Sequence, residues 1–163
     1  MACAALMGCA STPSGPVAVA ELAPTKGNAV SGRLTFTQVG ALVRVEGEVR
    51  GLAPNKEHGF HVHDKGDCSS GDGMSAGGHF NPTGKAHGAH HHDEHHAGDL
   101  VSLVADAQGV ARVAFESPSI SVATGPTAVT GRGLIVHRDP DDFKTQPTGN
   151  SGPRLACAVI AAR

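Results

Sequence analysis

Nine consecutive residues, Leu42-Val43-Arg44-Val45-Glu46-Gly47-Glu48-Val49-Arg50, alternate apolar and polar side chains almost without a break. A period of two fits a strand with one wet and one buried face and does not fit a helix. Val43, Val45 and Val49 are expected to point inward. Further runs of this kind lie at Val17 to Leu22, Val30 to Gln38, His58 to His63, Leu100 to Asp106, Ala111 to Glu116, Leu134 to His137 and Leu155 to Ala161. Gly, Pro, Asn and Asp fill the gaps. Eight short strands and no helical period predict an all-β domain, an eight-stranded Greek-key flattened barrel or sandwich. Two stretches break the rhythm, Asp64 to Gly98 and Arg138 to Pro153. Loops of that length in a compact domain are functional or held down by something.

The chain of 163 residues suits one domain with a real core. Its 22 glycines and 10 prolines, with no Trp or Tyr, match short strands, many turns and a small-residue core. A formal charge of −2 argues against a nucleic-acid partner, which usually demands a basic patch or stripe. No run approaches the roughly 20 apolar residues of a transmembrane helix. Residues 1–16 stand apart from the domain at 17–163. Met1 to Gly8 is apolar, and Ser11-Thr12-Pro13-Ser14-Gly15-Pro16 reads as a tether. Cys9 between them is a candidate lipidation site of a bacterial lipoprotein signal. The apolar part is short and lacks a preceding Lys or Arg. Two readings stay open: a start upstream of Met1, or an apolar tail.

The chemistry is concentrated in histidine. His61-Val62-His63 places two imidazoles on the same face of a strand, where both reach one metal. His79, His87, His96, Asp99 and the distant His137 complete a set of six imidazoles and a carboxylate, enough for two adjacent transition-metal sites. Three histidines with one carboxylate make a closed tetrahedral site that zinc accepts readily.

The surrounding blocks are Gly59-Phe60-His61-Val62-His63, Gly66-Asp67, Ser75-Ala76-Gly77-Gly78-His79-Phe80-Asn81-Pro82 and His96-Ala97-Gly98-Asp99-Leu100. Val136-His137, Pro140-Asp141-Asp142 and Thr148-Gly149-Asn150-Ser151-Gly152-Pro153-Arg154-Leu155-Ala156-Cys157 follow. In this order they closely resemble the copper,zinc superoxide dismutase family, over roughly residues 17 to 163. The resemblance implies one copper per subunit on His61, His63, His79 and His137, and one zinc on His79, His87, His96 and Asp99. It makes His79 a bridging imidazolate and a catalytic group. It makes Asp141 the carboxylate that orients His61 and His87 from behind. Arg154 would attract and orient superoxide, the anionic substrate, beside the copper. Lys85 and Lys144, on the same two loops, are further candidates for that field, or ordinary solubilising lysines.

Cys68 and Cys157 are the cysteines left to the domain. The expectation is one disulfide, with two free thiols as the alternative; closing a loop of about 90 residues stabilises by ~4 to 5 kcal/mol in the chain-entropy treatment. Such a bond implies an oxidising compartment. Cys68 follows Gly66-Asp67 directly, whereas the eukaryotic branch has its cysteine where Gly73 stands here. That resembles the bacterial branch and implies a periplasmic or cell-envelope location, as a monomer or homodimer. His90, His91, His92 and His95 are surplus to both ligand sets. They are either solvated loop residues or a device that captures scarce metal. His58 is expected to be no ligand. The rival function is a non-enzymatic copper or zinc carrier on the same fold. Such a carrier is expected to lack a copper ligand, the bridge or Arg154, and this chain lacks none.

Overall fold

The computed structural model describes residues 15–163; the signal-like segment and Cys9 lie outside them. Nine strands occur among the described residues. They are β1 (Val17–Pro24), β2 (Ser31–Val39), β3 (Leu42–Arg50), β4 (Glu57–His58), β5 (Phe60–His63), β6 (Leu103–Val104), β7 (Ala111–Ser117), β8 (Gly133–His137) and β9 (Arg154–Ala162). Seven form a single antiparallel sheet in the order β5-β8-β9-β1-β2-β3-β7, and β4 pairs with β6 in a second. The all-β expectation holds, and β3 has the bounds that its alternation marks.

The alternation decides what the sheet buries. Val43, Val45 and Val49 of β3 are fully buried and belong to one apolar core with Leu34 and Phe36 of β2, Ala18 and Ala20 of β1, and Ala156 and Ile160 of β9. The polar partners of the same strands lie outside, where Arg44 meets Glu116 across the β3–β7 pair at 3.1 Å. Such exposed pairs add little stability.

β5, like its partner β8, is buried on both faces. Phe60 and Val62 enter the core, while His61 and His63 project from the opposite face and are covered by loops. β8 hydrogen-bonds one edge of β5, with His61 opposite Ile135 and His63 opposite Gly133. The other edge is closed by the long loop itself. Val62 N–H donates to Gly98 O at 2.9 Å, Phe80 N–H to Val62 O at 2.9 Å, and Leu100 N–H to Phe60 O at 3.2 Å. That pairing satisfies the free edge of the strand. It also delivers His79 and Asp99 beside the two strand histidines, as the isolated bridges His63 to His79 and His61 to Asp99 record. Gly98 permits the close approach: a Cβ there would strike the Val62 carbonyl oxygen and crowd Phe80.

The same loop is tied down at its start. Cys68 is disulfide-bonded to Cys157 of β9, with 5.9 Å between their Cα atoms and a sequence separation of 89. Cys68 packs with Ala76, Ile135 and Cys157 in a small apolar cluster on the loop side of the sheet. The loop is also less featureless than expected, since Met74–Ala76 forms a 3-10 turn.

Two strand boundaries differ from expectation. The run from His58 to His63 divides at Gly59 into β4 and β5, which pair in different sheets. Gly59 N–H donates to Asp139 O and its carbonyl accepts from His137 N–H, both at 2.9 Å. Of the run from Leu100 to Asp106, only Leu103 and Val104 form a strand. Leu100 and Ala105 give their N–H groups to Phe60 and Lys56 outside any ladder.

Candidate metal centre

Four loops and strands meet over β5. β5 supplies His61 and His63, β8 supplies His137, the loop after β5 supplies His79, His87, His96 and Asp99, and the loop after β8 supplies Asp141. All eight side chains are buried. One ligand atom from each of His61, His63, His79 and His137 lies within 4.8 Å of the others, and the same holds for His79, His87, His96 and Asp99. His79 belongs to both groups.

Hydrogen bonds fix which nitrogen of each ring is bare, because a ring atom facing a carbonyl or carboxylate oxygen must be the N–H. His63 Nδ1–H donates to Gly77 O at 2.9 Å, and His137 Nδ1–H to Gly152 O at 3.0 Å. Their Nε2 atoms therefore carry lone pairs, and these face each other at 3.3 Å. His61 Nε2–H donates to Asp141 Oδ2 at 2.6 Å and His87 Nε2–H to Asp141 Oδ1 at 2.8 Å. This leaves His61 Nδ1 and His87 Nδ1 buried without a hydrogen-bond partner among the described residues, as are His79 Nε2 and His96 Nδ1. Buried bare nitrogens are costly unless something binds them. Lone pairs that converge at metal-ligand spacing fit transition-metal ions, and imidazole with one carboxylate fits copper and zinc.

The second group carries the stronger electrostatic signal. Asp99 Oδ1 lies 2.9 Å from His79 Nδ1 and 3.4 Å from His96 Nδ1, while Oδ2 lies 3.0 Å from the bare His87 Nδ1. A lone pair that close to a carboxylate needs a cation or a proton between them. Without a metal the proton takes that place. Burial acts against it, but the Asp141 and Asp99 carboxylates outweigh burial and raise His87 to about 9. Both carboxyls are held far below their ordinary range by these histidines, although burial opposes the shift. In the first group, burial and then neighbouring imidazoles push His137 down to about 3. Burial and His61 hold His79 at about 4 in spite of Asp99. His63 is likewise lowered by burial and by His79 and His137. These rings stay neutral at pH 7, the state in which imidazole binds metal.

Gly149 lets the two groups share Asp141. Its φ is +63°, and a Cβ there would collide with Asp141 Oδ1 and His87 Nε2. Outside the centre, a cavity of about 260 Å³ is lined by His63, His79, His137, Met74, Thr148 and Arg154 among others. Arg154 is half-buried, with Nη1 donating to Gly73 O and Nη2 to Gly77 O, both at 2.6 Å. Gly77 O thus holds both the arginine and the His63 ring.

Three contributors carry no spacing signal in the sequence. Gln146 clamps the backbone of His87, accepting from its N–H at 2.8 Å and donating to its carbonyl at 2.9 Å. Gly77 and Gly152 act only through their carbonyls. His58 joins neither ligand group, as expected, and its Nδ1–H supports the His137 carbonyl at 2.9 Å.

The surplus histidines divide. His95 is buried, with Nδ1–H donating to His92 O and Nε2 accepting from the Ser119 hydroxyl, so it is a packed structural residue rather than a solvated one. His90 donates to Asp99 O. His91 and His92 are exposed. Lys85 is engaged locally, its ammonium donating to Asp93 O.

Residues 30–160 match the family model for copper/zinc superoxide dismutase (SODC). Superoxide dismutase (Cu-Zn) 2 of Aquifex aeolicus (strain VF5) is 38% identical over 146 residues, covering 86% of this chain and 84% of the relative. The crystal structure of the clock protein EA4 is similar with a TM-score of 0.83 at 39% identity, covering 96% of this chain and 100% of the other.

Proposed function

Since this chain belongs to the copper/zinc superoxide dismutase family, we infer how its own residues divide the work of that enzyme. The reaction disproportionates superoxide: two superoxide ions and two protons give one dioxygen and one hydrogen peroxide. Copper and zinc are its metals. The observation that carries the residue assignment is the abutment of two buried ligand groups that share His79.

We assign copper to His61, His63, His79 and His137, and zinc to His79, His87, His96 and Asp99. Copper supplies a one-electron couple when bound, and zinc a fixed charge on the shared ring. The chain does the rest. His61 and His63 project from the same face of β5 and would hold copper together, and the Asp141 and Gly77 oxygens keep their ligand nitrogens bare. His79 offers Nδ1 to the side of Asp99 and Nε2 to the side of His61, His63 and His137. Nε2 can therefore take up one proton on the copper side and deliver it as peroxide forms. Asp141 ties the rings of both groups to one carboxylate, so that neither ligand set can shift alone.

Arg154 is the anion-orienting group. Two of its five N–H groups are committed to Gly73 and Gly77, which fixes the guanidinium at the wall of the cavity beside His63 and His137. The remaining N–H groups have no hydrogen-bond partner among the described residues and can meet a small anion. The Cys68–Cys157 disulfide and the bacterial relative support a location outside the cytoplasm, in the periplasm or cell envelope. Lipid anchoring at Cys9 belongs to the same proposal; retention of label from a radioactive fatty acid, lost in C9S, tests it. Among the described residues no helix is long and apolar enough to cross a membrane.

The ligand assignment is tested by placing cobalt(II) in the zinc position. A shared imidazole couples the two paramagnetic ions, so the copper(II) resonance signal is expected to be suppressed in the wild type and restored in H79A. An unsuppressed signal in the doubly loaded wild type would remove His79 from the bridge.

A further inference from the structure

The segment between His87 and His96 carries four histidines beyond the ligand groups, and the fold treats them unequally. His95 has both ring nitrogens hydrogen-bonded, and His90 packs its ring against Phe115 while donating to Asp99 O. His91 and His92 behave otherwise. Both are exposed, and neither side chain makes a hydrogen bond among the described residues. Their rings nevertheless lie together, with centroids 4.6 Å apart and planes at 78°.

That spacing falls within the range set by histidine pairs in the buried centre. There His61 and His79 lie 4.0 Å apart, His61 and His137 5.0 Å, and His79 and His87 5.2 Å. Two imidazoles disposed at such a distance can bring one nitrogen each to a single ion at bond lengths of roughly 2 Å. Acidic side chains neighbour the pair, and the Lys85 ammonium reaches the Asp93 carbonyl. Asp93 and Glu94 follow directly in the chain and are exposed, and His91 borders a cavity of about 230 Å³ whose wall also includes Glu57 and His90.

We propose that His91 and His92 form an exchangeable site for a divalent transition metal on the outer surface of the loop that carries His87 and His96. With two protein ligands and the remaining positions open to water, the site binds far more weakly than the buried four-ligand groups and releases its ion freely. Imidazole donors select zinc, copper(II) or nickel over magnesium and calcium. Nothing in the dismutation chemistry uses these two side chains, so the site stands apart from the catalytic centre.

The test uses the enzyme already loaded with copper and zinc, its metal content and dismutation rate measured first. Zinc(II) is then titrated calorimetrically into the wild type and into H91Q/H92Q, and the ring nitrogen resonances are followed by NMR. The expected result is additional zinc uptake by the wild type that is lost in the double variant, with shifts confined to the His91 and His92 rings. Equal uptake by both proteins, no uptake by either, or shifts on other histidines would overturn the proposal. A changed starting metal content or rate would instead indict the assignment of the buried centre, so the two failures are separable.

Discussion

Asp141→Asn retains the size of the carboxylate and changes two things, its negative charge and the number of acceptors. In the wild type Oδ1 and Oδ2 each hold one ring N–H, of His87 at 2.8 Å and of His61 at 2.6 Å. An amide offers one oxygen and one NH₂, so one of the two rings must face a donor. In the metal-free protein His87, raised to about 9, holds a proton on each ring nitrogen, and it avoids that clash by giving up the Nε2 proton and keeping the one on Nδ1. It can do so at little cost, because its Nδ1 already lies 3.0 Å from Asp99 Oδ2. The proton kept on Nδ1 blocks the nitrogen that zinc needs. The penalty therefore falls on metal binding more than on folding. Loss of such an orienting contact weakens metal affinity by about 10- to 100-fold, or ~1.4 to 2.7 kcal/mol. Asp141→Ala loses both ring contacts and the Phe143 N–H contact at 2.7 Å, and should fall further. Zinc affinity is measured by competition with a chromophoric chelator, and folding by the urea midpoint of the metal-free protein. The expected order of zinc affinity is wild type, Asn, Ala, with a smaller drop in metal-free stability. A D141N affinity within twofold of wild type, or a stability loss equal to the binding loss, would refute the reasoning.

Three further outcomes are expected. Arg154→Ala should slow superoxide turnover and flatten its dependence on ionic strength, since a guanidinium that focuses anions is screened by salt; stopped-flow rates with the wild-type salt slope would contradict this. Gln146→Leu should release zinc faster by removing both clamps on the His87 backbone, with copper held as before; equal zinc release rates into excess chelator would dismiss the clamp. The metal-free protein should lose stability as pH falls from 6.5 toward 3. His63, His79 and His137 are lowered in the fold, so the unfolded chain binds protons there that the fold refuses. His87, raised to about 9, acts in the opposite window: its contribution is complete below 6.5 and is lost as pH rises through 9. Urea midpoints across that range check both slopes, and a midpoint that rises on acidification between 6.5 and 3 would reverse the assignment.

The strands that were legible in the sequence are those whose burial alternates. β3 shows its inward valines directly, because a one-residue slip would expose all of them. β5 reads differently, since a strand buried on both faces has no apolar and polar alternation and only the histidine pair marks it. The break at Gly59 was hidden, being set by contacts to Asp139 and His137 some 80 residues downstream. The run at Leu100 to Asp106 looked like a strand because it is rich in apolar residues, of which Leu100, Leu103 and Ala105 are buried, yet its first backbone groups close the edge of β5 instead of forming a regular ladder. At the centre, the histidines and Asp99 were legible as a set because metal ligation restricts both residue type and spacing. Gln146 and the carbonyls of Gly77 and Gly152 were not, since any residue offers a carbonyl and no spacing rule links Gln146 to His87. His95 was misleading for a related reason: its partners, the His92 carbonyl and the Ser119 hydroxyl, exist only once the loop has folded.

Metal content and superoxide turnover, measured together on one sample of the oxidised protein, bear most directly on the function. One copper and one zinc per chain are expected, matching the two ligand groups, with fast turnover that disappears when copper alone is withdrawn. Full occupancy of both groups with no turnover would contradict the enzyme and leave a metal carrier in its place.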